Sequence, residues 1–210
     1  ISAGSQGRVM LIAPTVINKG TIEAPDGQVV LAAGSKVFLR TASAYGDENV
    51  RGLLVEVDSP AGLVDFDTVN PDVKDGRLDG KTVGLTNAAE DKLGHATNLG
   101  ELTSPRGNVT MVGYAVNQLG IARATTSVVA NGSVYLLAKD RTKIPESIPD
   151  QTKTGSRSER AGRVVLGANS LTGVLPDVAD ATGAPDGSGG QGLPARSQVQ
   201  VLGQDIRMEG

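Results

Sequence analysis

A seven-residue word, Gly-x-Val-x-Leu-x-Ala with small variations, recurs along this chain and limits what it can fold into. It reads GRVMLIA from Gly7, GQVVLAA from Gly27, GNVTMVG from Gly107, GSVYLLA from Gly132 and GRVVLGA from Gly162. Successive starts lie 20, 80, 25 and 30 residues apart. Val, Leu and Ala fall on every second position, the period that sends alternate side chains of a strand to one face. In the second word Val29, Leu31 and Ala33 are expected to point inward. Gln28, Val30 and Ala32 between them are mixed rather than strongly polar, so part of the outer face is expected to lie under loops. A longer echo surrounds two of the words: NKGTIEAPDGQVVLAAG (residues 18–34) returns as NLGELTSPRGNVTMVGY (residues 98–114), 80 positions later. An active site is rarely written twice in one chain, whereas a structural unit often is. A repeat of roughly 20 to 50 residues is the signature of stacked units.

The Gly that opens each word punctuates a turn, and Pro25 and Pro105 fix a backbone corner just before two of them. Between words lie strand-like pieces, VINKGTI (residues 16–22) and its counterparts ATNLGEL (96–102) and VNQLGIA (116–122). Each coil therefore reads as strand, turn, strand, turn. A coil of about 20 residues cannot bury its inner face alone; stacked on neighbours about 4.8 Å apart it makes a parallel β-solenoid. Asn18, Asn98 and Asn117 recur before Gly20, Gly100 and Gly120. They read as turn residues whose stacked side chains bond between coils, in preference to a ligand ladder. Three stretches break the period: residues 59–96 (acidic and turn-rich), 139–161 (polar, basic toward its end) and 175–196 (rich in Gly, Pro and Asp). All three are placed as loops projecting from one β-helix segment spanning residues 1–210, where insertions cost little.

Composition agrees with short strands and removes several chemistries. Aromatic residues make up 2% and Trp is absent, so the core must be built from Val, Leu, Ile and Ala beside 28 Gly. The absence of Cys excludes a disulfide framework, a thiolate metal site and a cysteine nucleophile. His95 is the only histidine, which rules out a metal cluster built on several histidines; it reads as a solvated loop residue. A net charge of −3 gives no general attraction to nucleic acid or to an anionic membrane. No apolar run approaches the roughly 18 residues of a membrane span, and the first residues lack the pattern of a signal peptide. The chain reads as a piece of something longer.

Taken in order, GRVMLIAPTVINKGTIEAPDGQVVLAAGSKVFL, RGLLVEVD, NLGELTSPRGNVTMVGYAVNQLGIARATTSV, NGSVYLLAKD and SLTGVLPD resemble the filamentous haemagglutinin family, the large exoproteins of bacterial two-partner secretion. The resemblance covers most of residues 7–58 and 97–178. It implies an all-β, right-handed parallel β-helix, exported through an outer-membrane barrel transporter and displayed on or released from the bacterial cell surface. It further implies a non-enzymatic adhesin or a stalk for effector or toxin delivery, with a host-cell, bacterial-cell or glycan receptor as partner. It places the segment at the end of the secretion domain and the first coils after it. The family's secretion domain carries Asn-Pro motifs near its start; Asn70-Pro71, the only such pair here, lies inside the acidic insertion and does not take that role.

β-Helices can carry catalytic carboxylates in a surface groove, so Asp65, Asp67, Asp72, Asp75 and Asp79 are the candidates for acid/base chemistry or weak calcium binding. Asp65 and Asp67 would share one face of a strand. Against this, Asp in turn-rich sequence closes turns for its own reasons. Arg157, Arg160 and Arg163 are candidates for an anionic glycan, set against the plainer reading of a solvated loop. GSGGQG from Gly187 lacks a following Lys-Ser/Thr and reads as linker. No catalytic residue, metal or cofactor is assigned. Asp65, Asp67, Asp75, Arg157 and Arg160 stand as partner-contact candidates on the loops. The alternatives are a carbohydrate-active β-helix enzyme, or capture of a host or nutrient protein by residues 59–96.

Overall fold

The first word folds as β1 (Arg8–Ala13), and the chain then bends twice to give β2 (Thr15–Asn18) and β3 (Thr21–Glu23). The structure, a computed structural model, describes residues 1–41, 52–58, 94–127, 130–139, 162–177 and 197–210. The second circuit starts with β4 (Gln28–Ala33), passes through the hairpin strands β5 (Lys36–Thr41) and β6 (Leu53–Asp58), and closes with β7 (His95–Asn98) and β8 (Glu101–Ser104). The third circuit is β9 (Asn108–Gly113), β10 (Ala115–Gln118) and β11 (Ile121–Thr126). The fourth is β12 (Ser133–Ala138), β13 (Arg163–Leu166) and β14 (Leu171–Pro176), and β15 (Val199–Leu202) and β16 (Asp205–Met208) follow.

Like strands of successive circuits lie side by side. The first sheet has the order β1-β4-β9-β12-β15, the second β2-β7-β10-β13-β16 and the third β3-β8-β11-β14. Every pairing in them is parallel, and among the described residues only the hairpin β5–β6 is antiparallel. The described residues are all-β with no helix, and the arrangement is consistent with a β-helix-like fold. A circuit holds three strands where the sequence suggested two. The piece VINKGTI is itself bent at Lys19-Gly20, because β2 and β3 join different sheets. The long echo is reproduced as register: Gln28 to Ala32 pair with Asn108 to Val112, and Thr15 to Asn18 pair with His95 to Asn98.

One word is out of place. GRVVLGA supplies β13, which pairs with β10 and β16 in the second sheet, and the fifth strand of the first sheet is instead SQVQVLG, as β15. Alternation fixes which face of a strand turns inward but carries nothing about which sheet the strand joins. In the other four words the Gly follows a corner leading out of the third sheet. Gly162 follows the second insertion.

The inner face of the first sheet is built in rows. Val9, Val29, Val109 and Val134 form one, Leu11, Leu31, Met111 and Leu136 the next, and Ala13, Ala33, Gly113 and Ala138 the last. They meet Val16, Ala96, Val116 and Val164 from the second sheet and Ile22, Leu102 and Ala122 from the third in one core cluster. Taking a Val or Leu side chain fully out of water contributes about 1.5–3 kcal/mol, so each completed row adds to stability only once its neighbour is stacked.

The outer face of the first sheet has its own cover. Val30, Ala32, Val112, Tyr135 and Leu137 are buried against Val55 and Val57 of β6, with Val37 and Leu54 packed alongside. Gln28, at the edge of this strip, donates from Nε2 to the Leu53 carbonyl (2.7 Å) and accepts from the Leu53 N–H through Oε1 (3.0 Å), which seats the start of β6. The expectation that loops cover the mixed outward positions is met by a hairpin. Val57→Asp would place a carboxylate in this strip, and a buried charge without a partner is costly. The expected outcome is local detachment: faster amide exchange from Leu53 to Asp58 and dye binding to the uncovered strip, with the inner core unchanged.

The corners decide where loops leave. Between the first and second sheets the chain needs only Pro14 in the first circuit and Tyr114 in the third, but in the second and fourth circuits this corner opens to the hairpin with the first insertion and to the second insertion. The third insertion leaves from the corner between the third and first sheets. His95 and Ala96 belong to β7, and Leu175 and Pro176 to β14, so the strands reach into the insertion bounds drawn from sequence. At the Pro-x-Gly corner the left-handed residue is x: Asp26 (φ 54°) and Arg106 (φ 53°), with Gln6 (φ 63°) ahead of Gly7 at the same place. Gly27 is needed for another reason, since a Cβ there would run into the carbonyl oxygen of Gly7 in the coil beneath.

Candidate functional site

Asp65, Asp67, Asp72, Asp75, Asp79, Arg157 and Arg160 lie outside the described residues; the points from which their segments spring lie within them. β6 ends at Asp58 and β12 is followed by Lys139, and the two roots are joined: Lys139 Nζ lies 2.7 Å from Glu56 Oε1. Both side chains are largely buried, at 12% and 14% exposure, so this pair is shielded from solvent screening far better than a surface pair. The hairpin thereby packs on the outer face of the first sheet and is tied to the base of the second insertion.

The third Arg of the basic group behaves differently from a solvated loop residue. Arg163 is a buried strand residue of β13, and its Nε donates to Asp205 Oδ2 (2.6 Å) of β16, its partner in register. Arg207 also reaches that oxygen at 3.2 Å. Its guanidinium is engaged between neighbouring strands. His95 is corrected as well: it is buried at the start of β7, beside Thr15 and Ala115 in register, because the insertion ends one residue before it. Among the described residues no group of three or more His, Cys, Asp or Glu is placed to hold a metal ion.

The ladder of amides runs through a different third residue. Asn18 Nδ2 donates to Asn98 Oδ1 (2.8 Å), Asn98 Nδ2 donates to Gln118 Oε1 (2.8 Å), and Gln118 Nε2 donates to the carbonyls of Gly120 (3.0 Å) and Leu171 (3.1 Å). Asn117 sits one residue earlier and faces the other way, bonding Thr97 Oγ1 at 3.2 Å. Position, two residues before Gly20, Gly100 and Gly120, would have found Gln118; residue identity misled. These amides serve the corner itself, since Asn18 Oδ1 and Asn98 Oδ1 also accept the N–H groups of Gly20 and Gly100.

At the opposite corner a charge stack crosses the coils. Arg106 donates from Nε to Asp26 Oδ1 (2.6 Å), from Nη2 to Asp26 Oδ2 (3.0 Å) and from Nη1 to Asp177 Oδ2 (2.5 Å), and Ser5 Oγ donates to Asp26 Oδ2 (2.8 Å). The bonds to Asp26 first, then those to Asp177, raise the Arg106 pKa above the ordinary arginine value, so the guanidinium stays charged throughout the accessible range. Bidentate Arg–carboxylate geometry is the strong form of an ion pair. The side chains are part-exposed, so the stack is expected to be salt-sensitive. Arg106→Met should lower the melting midpoint and flatten its dependence on sodium chloride, a comparison that thermal melts at low and high salt would make.

Beside this stack lies a polar cleft of about 530 Å³ lined by Ser5, Gln6, Arg8, Asp26, Gln28 and Gly52 among others. Asp26 and Gln28 are already committed to Arg106, Ser5 and Leu53. The cleft offers polar contact; its one hydroxyl–carboxylate contact among the described residues, Ser5 Oγ to Asp26 Oδ2 (2.8 Å), falls on a carboxylate that Arg106 already holds with both oxygens. Compared with family models, with curated proteins and with solved structures, the chain matches none. What the geometry offers is a stacked scaffold with its additions gathered at two corners. No helix among the described residues is long and apolar enough to cross a membrane. The Lys139–Glu56 tie had no sequence signal, and the mixed outward positions Val30 and Ala32 signalled a cover without naming β6 as what supplies it.

Proposed function

We propose that this segment is a right-handed parallel β-helix, a solenoid, that works as a secreted or surface-displayed structural exoprotein: an adhesin, or a stalk for effector or toxin delivery, exported by a two-partner secretion system. The observation that carries the reading is the coil, in which three short strands in fixed order join three parallel sheets and the next circuit repeats them in register. Right-handed connection is what parallel strands of one sheet favour almost without exception, which supports that hand. A stack of this kind extends by adding coils, and each coil needs only its neighbour to bury its inner face. A chain that leaves a cell unfolded through a narrow barrel and folds outside, without ATP, is well served by such local folding. The contact role falls to the three insertions, two of them rooted at one corner around the β5–β6 hairpin.

The test is export. The chain, placed behind a secretory signal and tagged, is produced in a Gram-negative host with and without an outer-membrane transporter of the two-partner type. The expected result is tag accessibility to external protease, or tag in the medium, only when the transporter is present. Retention in the periplasm in both cases overturns the proposal.

A further inference from the structure

The β5–β6 hairpin leaves the second circuit but does not stay on it. At the start of β6, Leu53 is held by Gln28, the first residue of β4; a little further on, Glu56 pairs with Lys139, which follows the last residue of β12 in the fourth circuit. Between these points β6 passes over β9 and buries Val55 and Val57 against Val30, Ala32, Val112, Tyr135 and Leu137. β6 therefore crosses the first sheet obliquely, from the start of β4 to the end of β12. Met10 in the first circuit and Leu202 after the fourth are only partly buried beside this strip, so its full cover spans the second to fourth circuits.

In a stack of coils each unit normally touches only its neighbours, so the stack can open one coil at a time. β4 and β12 are not neighbours: β9 lies between them, which sets them about 9.6 Å apart. The hairpin supplies a contact that the sheets cannot, an ion pair between residues 83 positions apart in sequence that joins non-adjacent circuits. We propose that the β5–β6 hairpin is a latch that fastens the second circuit to the fourth across the third, so that the three circuits open as one unit. Its two fastenings differ. Gln28 holds Leu53 by two hydrogen bonds inside the second circuit. The Lys139–Glu56 pair is the fastening to the fourth, and its largely buried side chains shield it from screening by salt. The latch also sets an order of assembly. Val55 and Val57 can be buried only once β9 and β12 are in place, so the hairpin closes after the fourth circuit has stacked. This goes beyond the export reading and does not depend on it.

Native-state amide exchange, read by mass spectrometry at urea concentrations below the unfolding midpoint, tests the latch. In the wild type the amides of β4, β9 and β12 should exchange through one common opening with a single urea dependence. Val134→Ala, which leaves a cavity in the inner row of the fourth circuit, should make that opening easier for all three strands together. Lys139→Met and Glu56→Gln each break the pair without touching the inner core. In both, β12 should open on its own, its amides exchanging at least roughly tenfold faster than those of β4. Adding Val134→Ala to Lys139→Met should then shift β12 further and leave β4 and β9 where they were. Circular dichroism without urea should show the same fold in every variant, since only the order of opening changes. A β12 that opens apart from β4 in the wild type, or that keeps to the common opening when the pair is broken, would overturn the proposal.

Discussion

Gly100→Ala should lower the melting midpoint by about 10 °C while Gly20→Ala leaves it unchanged, although the two glycines hold the same place in successive coils. The reason is close approach between backbones. A Cβ on Gly100 would meet the Gly20 carbonyl oxygen, and Gly20 N and Lys19 C at 2.8 Å each; on Gly20 it would meet nothing within 4 Å. Those neighbours are backbone atoms of a strand bend, and they can yield only by parting the coils. The bend is also where Glu101 N–H donates to Gly20 O (2.9 Å) and Leu99 N–H to Asn18 O (2.8 Å). Overpacking of this kind costs about 3 kcal/mol, and a chain of this length loses roughly 2–4 °C per kcal/mol. Gly120→Ala should behave as Gly100→Ala does, since its Cβ would meet Gly100 in the same way. Differential scanning calorimetry of the three variants checks the ranking, and a Gly20→Ala variant as damaged as Gly100→Ala would contradict it.

Asn98→Ala should cost about 3 kcal/mol of unfolding free energy, measured by urea titration. Asn98 is fully buried and makes four hydrogen bonds: it donates to Gln118 Oε1 (2.8 Å) and Ile121 O (2.9 Å), and accepts from Asn18 Nδ2 (2.8 Å) and Gly100 N–H (3.2 Å). Truncation strips partners from groups on three coils at once, and each buried polar group left unsatisfied costs about 1–3 kcal/mol. Asn18 is at the end of the ladder, and its loss leaves Asn98 Oδ1 still bonded to Gly100 N–H. Asn18→Ala is therefore expected to cost about 1 kcal/mol. Asn117→Ala, which breaks the 3.2 Å bond to Thr97 Oγ1 outside the ladder, should fall in the same lower range. Equal losses for Asn98 and Asn117 would show that the ladder does not run through Gln118.

What the sequence made legible was the inner face. Val29, Leu31 and Ala33 point inward as their alternation requires, and the 80-residue echo is a pairing of β2, β3 and β4 with β7, β8 and β9. Apolar periodicity is local and strong, so it survives whatever is inserted between coils. Sheet membership was less legible, because it is set by corners. GRVVLGA and SQVQVLG both alternate correctly, and only the path leading into each sends one to the second sheet and the other to the first. The amide ladder was read by residue type, and the backbone register moved its third rung from Asn117 to Gln118. His95 and Arg163 looked like loop residues because each abuts a polar insertion; strand pairing with β2, β10 and β16 draws both into buried positions. The cover over Val30 and Val112 was legible only as a need, since nothing in the residues named β5 and β6 as what meets it.

The parallel, in-register stack is the claim on which every prediction above rests, and the absence of cysteine makes it directly testable. Thr21 and Glu101 are 80 residues apart in sequence but pair in β3 and β8, whereas Thr103 is two positions out of register with Thr21. A disulfide requires Cα atoms roughly 4.4–6.8 Å apart, a range met by paired neighbours in a sheet and exceeded by a two-residue offset. The Thr21→Cys/Glu101→Cys chain should oxidise to an intramolecular disulfide, seen as a cross-linked peptide pair by mass spectrometry, while Thr21→Cys/Thr103→Cys stays reduced under the same conditions. Equal cross-linking of both pairs, or cross-linking of the offset pair alone, would contradict the stack.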